Sequence, residues 1–264
     1  MGIKIVFLTL LLSLNSSYAK TLIVSDVDDT VKVTDVLNKR NMVYNALFSK
    51  AEFSGMSELY REMNLPETTL YYVSGSPKFL EEKVGEFLEF NKFPQKANLI
   101  LKQGLKTHTY DYKVETITNL INKTNPDKVI LIGDDTEFDP EVYETISKKF
   151  PSKVESIYIR AIQDRELPKL SNIRNFFSAA EVAGLEVLKG NLKVSSLVKV
   201  AASFIKREKG SKIVIKERYC PSLGRTQIEE LKQSLNEQSS IDSLEKTQQK
   251  IVDTCHRRSL LTSR

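Results

Sequence analysis

The chain has no tryptophan and only two cysteines among 264 residues. Two thiols exclude a disulfide-dense miniature scaffold and a four-thiolate zinc site. His256 beside Cys255 is too little for a metal centre or a nucleophilic dyad. Eight prolines and ten glycines exclude collagen-like and Pro/Gly-rich chains. There is no internal repeat and no nucleic-acid motif. Aromatic residues are not interleaved with basic ones as on a base-stacking surface, so no nucleic-acid partner is expected. What is present is a 41% hydrophobic composition, normal for a globular protein and too high for a disordered one.

Residues 1–19 read as a secretory signal. Lys4 supplies the positive start, Ile5 to Leu14 a short apolar core, and Ser17 and Ala19 the small residues before a cut ahead of Lys20. The core is short for a bilayer span, and no cysteine follows the cut, as a lipoprotein needs. The expected mature chain is exported, periplasmic or secreted, into an oxidising compartment.

The middle of the chain alternates two periodicities. Buried-strand runs stand at Thr21–Ser25, Thr69–Val73, Asn98–Leu101, Lys128–Ile132 and Ser156–Ile159. Helical stripes separate most of them. One carries Leu80, Val84, Phe87 and Leu88, with Ser76 as its expected N-cap and Pro77 at its first position. A second carries Val114, Ile117 and Ile121. A third opens at Asp139-Pro140 and carries Val142, Tyr143 and Ile146. Such alternation predicts an α/β fold with a mostly parallel sheet, whose ligands gather at the carboxyl ends of the strands.

The unusual residues fall at those ends. Asp26, Asp28 and Asp29 put three carboxylates in four positions after the first strand. They repel one another unless a cation compensates them, and the Gly and Glu positions of an EF-hand calcium loop are absent. Ser74-Gly75-Ser76-Pro77 follows the second strand and leads into a helix start, which suits phosphate. Gly133-Asp134-Asp135-Thr136-Glu137-Phe138-Asp139 follows the fourth, and Lys113 lies near the start of the helix before it. Hard oxygen ligands from two strand ends suit Mg²⁺ shared with a substrate phosphate. A carboxylate to attack phosphorus, one to move a proton, and a Ser and a Lys to hold phosphoryl oxygens make a set for phosphoryl transfer.

Asp26-Val27-Asp28-Asp29-Thr30 resembles the first motif of the haloacid-dehalogenase-like (HAD) phosphohydrolases, and Ser74, Lys113 and Gly133-Asp134 resemble the other three in order. With SDVDDTVKVTDV, FSGMSELY, YYVSGSPKFL and LIGDDTEFDPEVY followed by YIR, the stretch Leu22–Ile162 is similar to a narrower group. That group is the catalytic domain of the phosphatidate phosphatase family found in yeast actin patches and many bacteria. The resemblance implies a Rossmann-like HAD fold and a Mg²⁺-dependent phosphatase acting through an aspartyl-phosphate, on phosphatidate or a related lipid phosphate. It implies Asp26 as nucleophile, Asp28 as general acid/base, Ser74 and Lys113 as phosphoryl-holding groups, and Thr30 and Gly75 as substrate contacts. The implied metal set is Asp26, Asp28 (its carbonyl included), Asp134 and Asp139, with Asp135 or Asp139 holding the next carboxylate position. Asp139 is equally a good helix cap, Asp29 a carboxylate that bonds its own turn, and His108 a surface residue. Only about forty residues separate the first motif from the second, and a similar number the second from the third, so the cap is minimal. Two other readings fit the sequence: a phosphatase of soluble phosphomonoesters or nucleotides, and a non-catalytic exported protein that binds lipid or a partner through its tail.

From Leu185 the strand signals mostly stop. Residues 185–264 form an expected helical extension beyond a catalytic domain at 20–184, with Gln227–Asp253 as one or two polar helices. The extension holds 16 Lys and Arg against 9 Asp and Glu. The overall charge of +5 thus conceals a slightly acidic first part and a basic second. Leu197, Val198, Ala201, Phe204 and Ile205 make an apolar stripe, either a core face or a surface for peripheral contact with anionic lipid. Both cysteines, Cys220 and Cys255, lie here and are expected to pair.

Overall fold

Runs of β-branched and aromatic residues with little charge build a sheet buried on both faces. In a computed structural model, which describes residues 19–104, 107–163, 165–206, 211–213, 220 and 227–262, six strands pair in parallel. They are β1 (Thr21–Ser25), β2 (Thr68–Pro77), β3 (Leu99–Lys102), β4 (Lys128–Asp134), β5 (Val154–Arg160) and β6 (Ile173–Phe176). Their order is β3-β2-β1-β4-β5-β6. The chain runs outward from β1 to one edge, then returns to β4 on the other side of β1. Loops leaving β1 and β4 therefore diverge, which opens a crevice at their carboxyl ends. The expected signal segment, except Ala19, lies outside the described residues.

Strand alternation sorts side chains to two layers. Leu22 and Val24 of β1 pack with α4 (Thr109–Thr124) and α5 (Asp139–Lys149), through Ile117, Ile121, Val142 and Ile146. Ile23 faces the opposite layer. That layer holds α2 (Met56–Met63), α3 (Glu81–Phe90), α6 (Ala179–Leu188) and α7 (Val194–Lys206). α8 (Ile228–Ser234) and α9 (Gln238–Thr262) join it through Ile228, Leu231, Leu244 and Ile251. The boundary expected after Gly184 falls inside α6. α7 buries Leu197, Val200, Ala201 and Phe204 against its neighbours, so this stripe is core. Residues past 184 thus form part of the layer that covers the sheet.

Two local features differ from the sequence expectation, and a third concerns the small cap. β6 was not expected: it is a four-residue edge strand with polar Arg174 and Asn175 at its centre, which hides the alternation. Ser76 caps no helix. It lies in β2, a 3₁₀ turn at Lys78–Leu80 follows, and α3 begins at Glu81 without a side-chain cap. The β2–β3 register shifts between Ser74 and Pro77, so Gly75 and Ser76 bulge over the crevice. Finally, α1 (Lys39–Phe48), capped by Asn38, has no buried residue and forms the small cap. Among the described residues no helix is long and apolar enough to cross a membrane.

Cys220 and Cys255 form a disulfide across 35 positions, with Cα atoms 5.9 Å apart. It ties residue 220 to α9. Replacing both cysteines by serine should lower the unfolding free energy by about 3–4 kcal/mol on loop-closure entropy. Urea denaturation of the two chains measures it; equal midpoints would show that the bridge leaves stability unaffected.

Candidate active site

The backbone N–H of Asp26 donates to Ile132 O at 2.8 Å, so β1 and β4 stay paired up to the point where they part. Asp26 is 4% exposed and points into the crevice floor. Its Oδ1 accepts from Lys113 Nζ at 2.8 Å. Lys113 comes from α4, is equally buried, and makes a second, short ion pair to Asp139 at the start of α5. Asp134 ends β4. Its Oδ2 accepts from Thr30 Oγ1 at 3.0 Å, and its Oδ1 from Thr136 N at 2.7 Å. Its own N–H donates to Asp139 Oδ2 at 3.3 Å. Gly133 permits this convergence: a Cβ there would sit 2.7 Å from the Asp139 Cβ.

Oxygens of Asp26, Asp134 and Asp139 lie within 4.8 Å of one another, all buried. The charges do not balance. Burial, opposed by Lys113 and reinforced by Asp139 and Asp28, raises Asp26 well above the usual carboxylate range. Burial, with Asp139 and Asp26 beside it, raises Asp134 likewise. Burial works against the Lys113 ammonium, yet Asp139 and Asp26 outweigh it and hold Lys113 well above its ordinary value. One ammonium thus faces three carboxylates, and ionising all three calls for a second cation. Oxygen donors at this spacing fit a hard divalent ion such as Mg²⁺.

Asp28 occupies the mouth, partly exposed, and its side chain lies outside this trio. Thr34 Oγ1 donates to its Oδ1 at 2.7 Å. Ser74 Oγ and Ser76 Oγ donate to its Oδ2 at 3.0 and 2.8 Å. The β2 bulge is what brings Ser76 there. Gly75 is required beside it, since a Cβ would meet Thr109 Cγ2 at 2.7 Å.

Several expected roles move. Thr30 is fully buried, with its hydroxyl on Asp134, so it positions a carboxylate and does not face the cavity. Asp139 is the first residue of α5; Phe138 holds the cap position, and the Asp139 carboxylate belongs to the site. Asp135 does not. Its oxygens accept the N–H groups of Ile162, Gln163 and Arg165 at 2.8, 2.8 and 3.1 Å, which pins the loop after β5. Asp29 holds its own turn as expected, accepting from the N–H groups of Thr34, Asp35 and Val36. His108 is exposed, its ring tilted against Phe138 with centroids 4.8 Å apart. Sequence reasoning missed Ser76, Lys102 and Glu137, which line the cavity with Asp26 and Asp28. Burial raises Glu137 above the usual range. Glu137 carried a signal as a third acid in the cluster after β4, and Ser76 as part of the small polar run after β2 that reads as a helix cap; Lys102 carried none.

A parallel sheet in Rossmann order, with carboxylates at its switch point and a buried lysine from α4, is the arrangement expected from the resemblance to haloacid-dehalogenase-like phosphohydrolases. Residues 21–161 match the family described as phosphatidate phosphatase APP1, catalytic domain, and the chain belongs to that family. Phosphatidate phosphatase APP1 of Saccharomyces cerevisiae is 29% identical over 150 residues, 52% of this chain and 25% of that protein. An uncharacterized Schizosaccharomyces pombe protein is 27% identical over 150 residues, 53% of this chain and 25% of that one. The chain therefore spans about a quarter of the length of these curated relatives. Among solved structures, the class C acid phosphatase from Bacillus anthracis with tungstate bound is similar over 53% of this chain and 66% of that one, at 17% identity and TM-score 0.38.

Asp29 offers a pH test. Burial pushes its carboxyl from 3.8 up to about 6, against three backbone donors that pull it down. A carboxyl that holds its proton more tightly when folded stabilises most below about pH 4, and the contribution fades as pH rises through about 6. Asp29→Asn should flatten that part of the curve of unfolding free energy against pH. An unaltered slope would show Asp29 ionised throughout.

Proposed function

We propose that the chain is a Mg²⁺-dependent phosphomonoester hydrolase working through an aspartyl-phosphate. Family membership supports a phosphatase. The observation that carries the mechanism is the buried trio Asp26, Asp134 and Asp139 around Lys113, with Asp28 held at the mouth by three hydroxyls.

In this reading an Asp26 oxygen attacks phosphorus and the bond from phosphorus to the ester oxygen breaks. Asp28 gives its proton to the leaving alcohol. Asp28 then takes a proton from water, which attacks the aspartyl-phosphate and releases phosphate. The hydroxyls of Thr34, Ser74 and Ser76 keep the Asp28 carboxyl aimed through both steps. Lys113 keeps Asp26 in place and offsets charge on the phosphoryl oxygens. The Ser74 and Ser76 hydroxyls both rest on Asp28, so either contacts a phosphoryl oxygen only by exchanging that bond; Ser76 and Gly75 line the cavity. Asp26, Asp134 and Asp139 would hold Mg²⁺, aided by the Asp28 carbonyl. The ion would supply the positive charge that lets Asp26 ionise and would neutralise phosphate.

The substrate class we infer is phosphatidate or a related lipid phosphate, the substrate named for the yeast relative. The apolar side of the cavity, built by Val36, Met42, Ala46, Leu47 and Leu80, supports it. We also propose an exported chain, cleaved before Lys20. The Cys220–Cys255 bond supports this, since disulfides persist in oxidising compartments.

Phosphate release from a panel of phosphomonoesters tests the proposal. Asp26→Asn should lower turnover by at least about 10³-fold, and Asp28→Asn by about 10²–10⁴-fold. Chelation should remove activity that Mg²⁺ restores. Turnover surviving in Asp26→Asn would overturn the nucleophile. Gly133→Ala should mimic Asp139→Ala, because its methyl displaces that carboxylate.

A further inference from the structure

Six of the ten residues of α1 are apolar, yet none is buried. Met42, Ala46 and Leu47 line the cavity that Asp26 and Asp28 share. Val43, Tyr44 and Phe48 are 56%, 64% and 66% exposed, and Phe79, on the 3₁₀ turn after the bulge, is 75% exposed. Polar bonds to the loop beneath tie α1 down: Lys32 Nζ to Ala46 O at 2.8 Å, and Asn45 Nδ2 to Thr34 O at 3.1 Å. The helix is anchored by its backbone and its asparagines, with Ala46 and Leu47 against the core, which leaves Val43, Tyr44 and Phe48 outward. A helix apolar on both flanks is ordinarily buried, and clustered exposed apolar groups mark a contact surface.

The cavity says what makes that contact. It runs without interruption from the carboxylates to the apolar wall, so its occupant carries a phosphate at one end and hydrocarbon at the other. At about 360 Å³ it lies near the small end of ligand sites, roughly 300–1,000 Å³. Two long acyl chains do not fit, and they remain outside, against the exposed rim. Lys39 and Arg40 open α1 on the surface, where cations favour anionic lipid.

We propose that α1 and Phe79 form an interfacial rim that sits in the surface of an anionic bilayer, with the lipid hydrocarbon along Met42, Ala46 and Leu47 while its phosphate reaches Asp26. The rim rests on the phosphatase reading for its substrate, but not for its attachment to the membrane.

Tyr44→Glu/Phe48→Glu changes two exposed side chains that do not line the cavity. Cosedimentation with vesicles of phosphatidylcholine and phosphatidate should fall by at least about tenfold, and hydrolysis of vesicle phosphatidate should fall with it. Turnover of water-soluble para-nitrophenyl phosphate should stay unchanged. A variant that binds vesicles like the unsubstituted chain overturns the proposal. So does an unsubstituted chain that stays in the supernatant, a result that assigns the rim to a protein partner. A chain that hydrolyses neither ester, yet sediments only with Tyr44 and Phe48 intact, retains the rim and refutes the phosphatase reading.

Discussion

The Lys113 ammonium, held between Asp26 and Asp139, is the interaction on which the site depends. It joins three elements directly, the end of β1, α4 and the start of α5, and Asp139 extends the link to β4 through the Asp134 N–H. Buried charges are unfavourable unless paired and hydrogen-bonded. Here each charged group has a partner, but three carboxylates outnumber one ammonium. That excess of carboxylates over ammonium is a donor set that suits a divalent cation. Loss of the ammonium would leave three buried carboxylates to repel one another.

Around this centre, two carboxylates do organisational work. Asp29 and Asp135 each accept three backbone N–H groups, and each fixes the loop that follows its motif or faces it. Asp29 adopts φ 57°, a left-handed conformation that aspartate tolerates better than most residues. Arg160 extends the support. Stacked between Phe53 and Phe176, its Nε donates to Thr30 O at 2.9 Å, and Thr30 in turn holds Asp134. The motif acids thus divide into those that face the cavity and those that hold the backbone.

The basic C-terminal part completes the layer on the other face of the sheet. Its helices bury apolar side chains against α2 and α6 in the same core that receives Ile23 and Tyr72. With that face covered, the cavity over Asp26 and Asp28 lies, among the described residues, beside the β2 bulge and α1.

Five strands, the order of the motifs and most of the site acids were legible in the sequence, because each depends on local signals: β-branched runs, 3.6-residue stripes and acids directly after a strand. Strand β6 was not, since an edge strand of four residues has too few alternations to register. The roles of Ser76 and Thr30 were hidden for another reason. A hydroxyl's partner is set by what lies across space, and Ser76 reaches Asp28 from 48 positions away while Thr30 reaches Asp134 from 104. The choice of Asp139 over Asp135 was likewise beyond reach, because both acids sit in one short turn and only its folded path separates them. The sequence by itself determined the class of chemistry, through the kinds of residue at the strand ends. Only the tertiary structure decided which oxygens converge, because convergence depends on β1 and β4 lying side by side and on a lysine arriving from another helix.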